Sequence, residues 1–368
     1  MTAITDEIRI GVVGLRRGES LLRSSNAVGG GRVTAVFDVD AIRVETQAAT
    51  IDAIGYADFN EFLAADIDLV VVASPIPFHA EQSIAALDAG KHVLCEVLPF
   101  QNFEQAKAIV EASRRGGGRY FVSENCIFYD EIEALKGLHD QGRFGRIYYG
   151  EGDYIHDCTG LWFDADGNLT WRGAGHIGVY ATHGLGPLLY ITGDRISEVR
   201  CIAMPGRIVD PSLDLPTMHL LELTTEQGRY FRSRVDPVSH RPHPSTTHFT
   251  LQGTSGSYES AVDRTDPGRI WIADLHELSR VDSSASWHPL AEMLPELIGE
   301  RLGVEAIGGG HGTSEYWLLR SVFDAIRSNI ESPIEMHRGM DIGLPSVAAL
   351  ESALLGGAPI AVPDSRSW

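Results

Sequence analysis

The chain has 368 residues, 43% hydrophobic and 22% charged, which is the composition of an ordinary globular protein with room for two domains. Its 30 basic and 50 acidic residues give a formal net charge of −20, and such a chain lacks the cationic surface that nucleic acids and anionic membranes require. No apolar run approaches the roughly 18 residues of a membrane helix, and the first residues show no signal-peptide pattern.

The cysteines and histidines form no recognisable metal or disulfide pattern. The four cysteines, at positions 95, 126, 158 and 201, are far apart, which predicts reduced thiols and a cytoplasmic location. The segment HRPHPSTTH (240–248) is rich in histidine, but its spacing matches no ligand pattern. We therefore predict no bound metal and interpret this proline-rich segment as a loop over the active site.

The first third of the chain alternates between short apolar strands and helices. The predicted strands are IRIGVVG (8–14), VTAVFD (33–38), IDLVVVAS (67–74), KHVLCE (91–96) and RYFVSE (119–124). A helix can start in LRRGESLLRSS, and two more are predicted over 79–90, ending at a glycine, and over 103–118. This order predicts an α/β fold with a doubly wound parallel sheet and helices on both faces.

The first β–α turn carries an incomplete dinucleotide motif. Read from Gly14, the pattern GxGxxG needs glycine where Arg16 and Glu19 stand. The glycines that remain are Gly11, Gly14 and Gly18. Asp38 ends the second strand, where an acid accepts hydrogen bonds from ribose hydroxyls and repels a 2′-phosphate, so NAD is favoured over NADP. The alternative is an α/β domain that has lost its nucleotide.

From residue 125 onward, strands dominate the pattern. Strands and hairpins are predicted over 147–157, 199–205, 219–237 and 247–260, with the turns EQG and TSGS. In this half, long helices recur only at about 181–192 and 314–329. We therefore divide the chain into a nucleotide-binding domain, 1–124, and a β-rich domain, 125–368.

The segment VYATHGLGP frames one histidine with small residues. Tyr180 and His183 are three positions apart, so on one helical turn they share a face. Gly184 and Gly186 are expected to keep that face open, and Pro187 fits the beginning of a helix. A phenol and an imidazole directed at one sugar can exchange protons with its hydroxyls. A histidine in general is more often structural, and Tyr180 beside a helix start often only packs.

Other candidate residues lie on both sides of this segment. Tyr154 and His156 are alternate residues of a strand, and we expect them to point to opposite faces. Arg172, after Trp171, could clamp a hydroxyl or acyl oxygen, and His311 lies in a glycine-rich loop suited to substrate contact. A surface ion pair or a loop cap would explain Arg172 and His311 equally well.

SPIPFHAEQSIAALDAGKHVLCEVLPF (74–100) resembles the Gfo/Idh/MocA oxidoreductase family, at family spacing over residues 8 to about 124. The resemblance implies a Rossmann domain that binds NAD(P), followed by an α/β domain with a large, mostly antiparallel open sheet for substrate binding and oligomerisation. It implies a sugar or cyclitol substrate and a homodimer or homotetramer. With the first turn, it places the cofactor-binding residues at Gly11, Gly14, Arg16, Gly18, Asp38, Ser74, Pro75, His79, Glu96 and Asn125.

One departure from that family concerns its Glu-Lys-Pro motif. This chain reads Glu96-Val97-Leu98-Pro99, and Val97 cannot supply the ammonium group with which the family lysine assists proton transfer. Acid–base chemistry must then come from elsewhere. The alternative is that Val97 simply packs in a degenerate, nearly inactive relative.

Three stretches resemble a narrower branch, the NAD-dependent glycoside hydrolases exemplified by retaining α-N-acetylgalactosaminidases. They are GEGDYIHD (150–157), WRGAGHIGVYATHGLGP (171–187) and, more loosely, GGHGTSEYWLLRSVFDAI (309–326). This branch also replaces the lysine, reading EVP, which would account for Val97. The resemblance implies Tyr154, Tyr180 and His183 as catalytic residues and Arg172 and His311 as substrate contacts. Gly178, Ala181 and the additional Leu98 depart from its pattern.

Three functions are therefore open. An NAD-dependent dehydrogenase would oxidise a ring hydroxyl of a sugar and release the reduced cofactor. A redox-assisted glycosidase would oxidise, eliminate, add water and reduce again, with a base such as His183 or Tyr180. A non-catalytic NAD- or sugar-binding regulator on the same fold would bind these ligands without turnover.

Overall fold

The computed structural model describes residues 7–174, 179–240, 246–262, 268–273, 287–302, 304 and 313–368. It divides into two compact units. The first consists of Met1–Phe128, Val304–Gly343 and Asp364–Trp368, and the second of Tyr129–Gly303 and Leu344–Pro363. The predicted cut after residue 124 lies close to the end of the first segment. Two C-terminal segments that the sequence assigned to the second domain instead cluster with the first unit.

The helices are α1 (Gly18–Val28), α2 (Ala41–Ile51), α3 (Phe59–Ala64), α4 (His79–Asp88), α5 (Phe103–Gly116), α6 (Asp130–Asp140), α7 (Thr182–Thr192), α8 (Leu294–Ile298), α9 (Thr313–Ser328) and α10 (Met336–Leu354). The strands are β1 (Ile8–Val13), β2 (Gly31–Phe37), β3 (Ile54–Tyr56), β4 (Leu69–Val72), β5 (His92–Cys95), β6 (Tyr120–Val122), β7 (Ile147–Ile155), β8 (Ile196–Ala203), β9 (His219–Thr225), β10 (Tyr230–Asp236), β11 (Thr247–Gly253), β12 (Gly256–Glu259), β13 (Arg269–Ile272), β14 (His288–Pro289) and β15 (Ile360–Ala361). None of the described helices is both long and apolar enough to cross a bilayer.

The first unit contains a parallel six-stranded sheet in the order β3-β2-β1-β4-β5-β6. The prediction of a doubly wound parallel sheet is confirmed. Its central strands are continuous apolar runs, as β4 shows with four fully buried residues, because helices cover both faces. The predicted helices appear as α1, α4 and α5. α4 is followed by Gly90 at φ 74°, the left-handed position at which helices commonly end.

Several elements were not predicted: α2, β3, α3, α6, α8, α10, β13, β14 and β15. α2 buries only Val44 and Ala48, so its sequence has a weak apolar stripe. α10 contains Pro345 and two glycines, which sequence patterns interpret as breaks. Both glycines are needed for packing, because a Cβ at Gly339 would lie 2.6 Å from Val122 and one at Gly343 2.7 Å from Phe100.

The segment KHVLCE, which carries much of the family resemblance, has mainly structural tasks. Lys91 Nζ donates hydrogen bonds to the carbonyls of Ala65 (3.2 Å) and Ile67 (2.9 Å). The Nδ1 atom of His92 accepts a 3.0 Å hydrogen bond from the backbone N–H of Arg119. These contacts tie neighbouring connections of the sheet together.

The second unit is built on a nine-stranded sheet in the order β14-β13-β12-β11-β7-β10-β9-β8-β15. All neighbours are antiparallel except β7 and β10, which run parallel, so the predicted mostly antiparallel sheet is confirmed. One face is buried, with side chains such as Leu221, Phe231 and Leu251, and α7 packs against β7, β10 and β11. The opposite face, which we call the outer face, alternates with it and is more exposed.

Because of two buried histidines, we expect the free energy of unfolding to fall in mild acid. Burial lowers the pKa of His92 and of His219 to about 4, with Arg119 adding to the shift at His92. The unfolded chain therefore binds more protons between about pH 6.5 and 4, so stability present above pH 6.5 is lost as the pH falls towards 4. We expect His92→Asn, which keeps an acceptor, to show a smaller decrease in unfolding midpoint over this range.

The control for this measurement is His240→Gln, since the His240 side chain is fully exposed. Thermal unfolding at pH 7.5, 6.5, 5.5 and 4.5 should give this variant the same slope as the natural chain. Equal slopes for all three proteins would contradict the assignment to His92.

Candidate active site

The backbones of β7 and α7 touch at a pair of glycines. A Cβ at Gly152 would lie well under 3.0 Å from the Gly184 carbonyl, and a Cβ at Gly184 would lie equally close to the Gly152 carbonyl. Only glycine permits such an approach. Gly184 therefore brings the helix against the strand, which differs from the open face that the sequence predicted. The contact places the residues on either side of it, Tyr154 and His183, next to each other.

Four aromatic rings meet beside this contact, and we call them the four-ring cluster: Tyr154, His156, Tyr180 and His183. The ring centroids of Tyr154 and His183 are 4.8 Å apart with an interplanar angle of 61°. Tyr180 stacks on Tyr154 at 5.4 Å and lies 5.3 Å from His183. His183 is 8% exposed. The structure thus brings together all three residues that the sequence predicted to be catalytic.

The prediction that Tyr154 and His156 point to opposite faces is wrong. The hydroxyl of Tyr154 and Nδ1 of His156 are 2.7 Å apart, within a hydrogen bond. Strand side chains alternate with a period of two, so residues i and i+2 share a face. His156 is therefore a candidate functional residue that the sequence interpretation missed, although the spacing itself contained the signal.

Tyr180 reaches the cluster from outside the helix. α7 begins at Thr182 with Ala181 as its N-cap, so the predicted shared helical turn does not exist. Pro187 lies inside α7 rather than at its beginning, and it cannot donate the helical hydrogen bond to the carbonyl of His183. The predicted helix at about 181–192 is otherwise confirmed.

β7 is held in register next to the cluster by an ion pair whose carboxylate is buried. Asp153 is 7% exposed and accepts hydrogen bonds from the backbone N–H of Arg234 (2.8 Å) and from its Nη2 (2.9 Å). Arg234 lies on β10, the strand parallel to β7. A charged, two-point contact of this kind restricts the position of Tyr154, which follows Asp153 directly.

Arg172 and His183 of the four-ring cluster share Cys158 as a neighbour. Its guanidinium stacks over the ring of Trp171, with Cζ 4.0 Å from the centroid, a cation–π arrangement. Burial raises the pKa of the Cys158 thiol, while the charges of Arg172 and His183 act in the opposite direction. Cys158 therefore has both residues as electrostatic neighbours, a proximity that no sequence pattern indicated.

Three parts of the predicted site lie outside the described residues. They are His311 within 305–312, Gly178 within 175–178, and most of the histidine-rich segment at 241–245. Of that segment the structure describes His240, whose Nδ1 lies 3.3 Å from a carboxylate oxygen of Asp157.

In the first unit, the turn between β1 and α1 has the shape that a dinucleotide needs. Gly14 has φ 85°, and a Cβ there would lie well under 3.0 Å from the backbone of Ser74. A Cβ at Gly18 would lie 2.9 Å from Val12, so this glycine allows α1 to pack against β1. Gly11 instead lies inside β1, where a Cβ would meet the ring of Phe62 at 2.6 Å, so its task is packing beneath α3.

The surroundings of this turn also suit a pyrophosphate and a ribose. The N-cap of α1 is Arg17, whose side chain cannot accept from the first-turn N–H groups, so no side-chain cap competes for them. Asp38 accepts hydrogen bonds from the N–H groups of Leu15 (2.7 Å) and Asp40 (3.0 Å), and its carboxylate keeps capacity for further donors. Arg16 is exposed beside them. These residues fit NAD.

Arg17 is held by two buried carboxylates. Its Nη2 lies 3.0 Å from Glu96 and 3.0 Å from Glu315, which are 6% and 1% exposed. Glu315 also accepts from Ser24 Oγ at 2.8 Å, and Asn125 donates to Ser314 at 3.3 Å. The start of α9 thus contacts residues at the turn that is predicted to bind the cofactor. The sequence missed Arg17 and Glu315 because their partners are remote in the chain.

The remaining predicted cofactor residues lie at the ends of β4 and β5. Ser74 and Pro75 form the turn after β4, and Ser74 Oγ donates to Gln82 at 2.5 Å. The ring of His79 lies between backbone carbonyls. Val97 and Leu98 are 4% and 3% exposed, so the position of the family lysine is occupied by packed apolar side chains.

Curated relatives match almost the whole chain. A glycosyl hydrolase family 109 protein of Saccharopolyspora erythraea is 28% identical, covering 98% of this chain and 83% of its own length. A protein of the same name from Streptomyces coelicolor is 29% identical, covering 97% of this chain and 83% of its own length.

Solved dehydrogenase structures share the fold. A levoglucosan dehydrogenase in complex with NADH and levoglucosan gives a TM-score of 0.80 at 20% identity, over 97% of this chain and all of the other. The WlbA dehydrogenase of Bordetella pertussis, with NADH and UDP-GlcNAcA, gives 0.78 at 22% identity, over 98% of this chain and 99% of the other. At these identities the likeness concerns the fold.

The family assignment rests on the first unit. Residues 8–124 match the Gfo/Idh/MocA family, described as an oxidoreductase family with an NAD-binding Rossmann fold. The match covers β1 to β6 and therefore the glycine turn and Asp38. Residues 8–124 belong to the Gfo/Idh/MocA oxidoreductases, and they give this chain an NAD-binding Rossmann domain.

Proposed function

We propose that this protein is an NAD-dependent enzyme that acts on a sugar ring as a redox-assisted glycosidase. The observation that carries the proposal is the four-ring cluster, with Tyr154 hydrogen-bonded to His156 at 2.7 Å and in ring contact with His183. When bound, NAD accepts a hydride from a ring carbon and returns it. The relatives named as family 109 glycosyl hydrolases support the glycosidase form.

The cluster supplies two proton-transfer groups. His183 takes the proton of the ring hydroxyl that becomes a ketone and later returns it. Tyr154 removes the C–H proton that the neighbouring ketone has made acidic, and His156 receives the phenolic proton through their hydrogen bond. Loss of the substituent next to that carbon, addition of water and return of the hydride leave a free sugar. This arrangement works without an amine at Val97.

Two further groups hold the sugar. Tyr180 offers its ring face to the sugar beside Tyr154. Arg172, kept in place by Trp171, donates hydrogen bonds to a hydroxyl or acyl oxygen, which its planar guanidinium suits. His311 is proposed as a further substrate contact. The proposed cofactor-binding residues are Gly14, Arg16, Gly18, Asp38, Ser74, Pro75, Glu96 and Asn125. Gly11 and His79 hold the neighbouring backbone in position without being assigned a cofactor contact.

The test is an assay of the purified protein, without added cofactor, on a panel of aryl glycosides. Aryl-alcohol release and nicotinamide absorbance at the wavelength of NADH are followed together. We expect aryl release with no net NADH, because the hydride returns to the product and the cofactor is not consumed.

Two other outcomes would overturn the glycosidase form. NADH that accumulates only when NAD⁺ and free sugars are supplied identifies a plain sugar dehydrogenase, as levoglucosan dehydrogenase, whose structure shares the fold, is named. Ligand-dependent thermal stabilisation with no product in either assay identifies a non-catalytic NAD- or sugar-binding regulator.

We also propose a cytoplasmic homo-oligomer that pairs through the outer face of the nine-stranded sheet. All four cysteines are free, which suits a reducing compartment. On the outer face, Tyr149 and Tyr230 stack at 6.5 Å, and Arg232 lies 3.5 Å from Glu151. A stacked ring pair with Tyr230 exposed, among interleaved charges, gives this face the composition of a surface that pairs with its own copy.

We expect Tyr230→Glu to dissociate the oligomer, because it removes the exposed ring of the stacked pair and places a second carboxylate beside Glu222 on this face. Light scattering after size exclusion measures the mass of both proteins. Thr224→Glu, a substitution on the adjacent strand opposite Tyr230, tests how far the interface extends. A natural chain that is monomeric at micromolar concentration would rule out the pairing.

A further inference from the structure

The imidazole of His79 connects two loops of the Rossmann domain. His79 is the first residue of α4 and is 1% exposed. Its Nε2 lies 2.6 Å from the carbonyl oxygen of Ser74, in the loop after β4. Its Nδ1 lies 2.7 Å from the carbonyl oxygen of Leu98, in the loop after β5.

Both of these partners can only accept hydrogen bonds. A neutral imidazole has one N–H, so its other nitrogen would direct a lone pair at a carbonyl oxygen less than 3 Å away. That arrangement is repulsive, and burial leaves no water to relieve it. The geometry therefore requires a proton on each ring nitrogen, which makes the ring an imidazolium.

The groups around the ring support a positive charge. Burial alone would lower the pKa of His79, but the Cys95 sulfur and the two carbonyls outweigh it and raise the pKa to about 9. The titratable groups that face this region from the neighbouring strands are Cys95 on β5 and Tyr120 on β6, and Ser83 of α4 lies beside them. All three side chains are fully buried.

We propose that His79 is a positioning residue, a buried imidazolium that holds the Ser74 and Leu98 loops in the shape that binds the dinucleotide. The Ser74 loop touches the turn at Gly14, and the Leu98 loop continues from Glu96, which is paired with Arg17. One doubly donating ring thus links the connections after β4 and β5 at the carboxyl ends of the strands, where Rossmann sheets bind their ligands. His79 acts beneath the cofactor and does not contact it.

The charge makes cofactor affinity depend on pH in a defined direction. Because the folded pKa lies above the usual 6.5, the stabilisation is complete below pH 6.5 and is lost as the pH rises through about 9. Deprotonation removes one of the two hydrogen bonds and leaves one loop untethered. NADH binding should therefore weaken above pH 9, whereas the cofactor itself does not titrate there.

The experiment measures ring protonation and NADH affinity separately. Nitrogen-15 NMR of histidine-labelled protein at pH 7.5 should show one ring with both nitrogens protonated, absent from the His79→Gln spectrum. The dissociation constant for NADH, from fluorescence titration at pH 7 to 10, should rise about tenfold for His79→Gln at pH 7.5, the effect of one charged hydrogen bond. The natural chain should approach that value above pH 9.

The matched control is His92→Gln, which changes a buried histidine of the same domain whose ring accepts rather than donates. It should bind NADH like the natural chain at every pH. A single protonated nitrogen on His79 at pH 7.5, or natural affinity in His79→Gln, overturns the proposal. If His79→Gln does not fold, the alkaline loss of affinity in the natural chain remains decisive. Because these readouts involve no turnover, they are independent of the proposed glycosidase activity.

Discussion

Replacing His183 with alanine should lower turnover on the aryl glycoside that the natural chain cleaves by about 10²- to 10⁴-fold, the usual contribution of a general acid–base group. NADH affinity should be unchanged, because the cofactor turn and Asp38 belong to the other unit. His183 touches both tyrosines of the four-ring cluster, so its removal takes away a proton acceptor and a ring contact. Steady-state rates and NADH titration of the same preparation measure the two effects.

A matched control for this variant is His139→Ala on α6, where His139 pairs with its neighbour Asp140. The turnover of His139→Ala should equal that of the natural chain. If His183→Ala also turned over at the natural rate, His183 would have no part in the mechanism. His156→Gln adds a second measurement, because a relay through Tyr154 predicts a loss of kcat with little change in KM.

Gly184→Ala should destabilise the second unit by about 3 kcal/mol and reduce turnover as well. A methyl group at this position would overlap the carbonyl of Gly152, and both atoms belong to backbone that cannot turn away. α7 must therefore move from β7, which separates His183 from Tyr154. Thermal or denaturant unfolding, together with the aryl glycoside assay, measures both consequences.

The chain offers a control that differs only in its surroundings. Gly137 lies in the C-terminal part of α6, and a Cβ there would meet nothing within 4 Å. Gly137→Ala should stabilise the protein by about 0.5–1 kcal/mol through helix propensity alone and leave turnover unchanged. Equal effects of the two glycine variants would mean that the close backbone contact does not govern the site.

Much of the fold was predictable because the burial of a strand or helix determines the local pattern of apolar residues in its sequence. The strands of the parallel sheet are buried on both faces, so they are continuous apolar runs, and the antiparallel strands alternate. α10 was not predicted because Pro345 and two glycines interrupt its sequence pattern, and the two glycines are required by contacts with Val122 and Phe100, which are remote in the chain. For the same reason, the sequence did not show that α9 clusters with the first unit.

The arrangement of the candidate site was predictable where a short motif contained its residues, and not where their partners were distant in the chain. His183, Tyr180 and Tyr154 follow from motif resemblance, and the structure brings them into contact. His156 was misplaced by an error in applying strand periodicity. The proximity of Arg172 to Cys158 depends on tertiary contacts that no spacing records.

The attachment of α9 also constrains the order in which the protein can fold during synthesis. Glu315 follows Arg17 by 298 positions, and the ring of Phe323 covers Gly31, where a Cβ would lie 2.7 Å from it. When the first 128 residues leave the ribosome, Arg17 lacks Glu315 and this surface of the sheet lacks its cover. The N-terminal segment therefore stays incompletely packed until nearly the whole chain has been translated. An excised fragment ending at residue 124 or 128 would keep that incomplete state permanently.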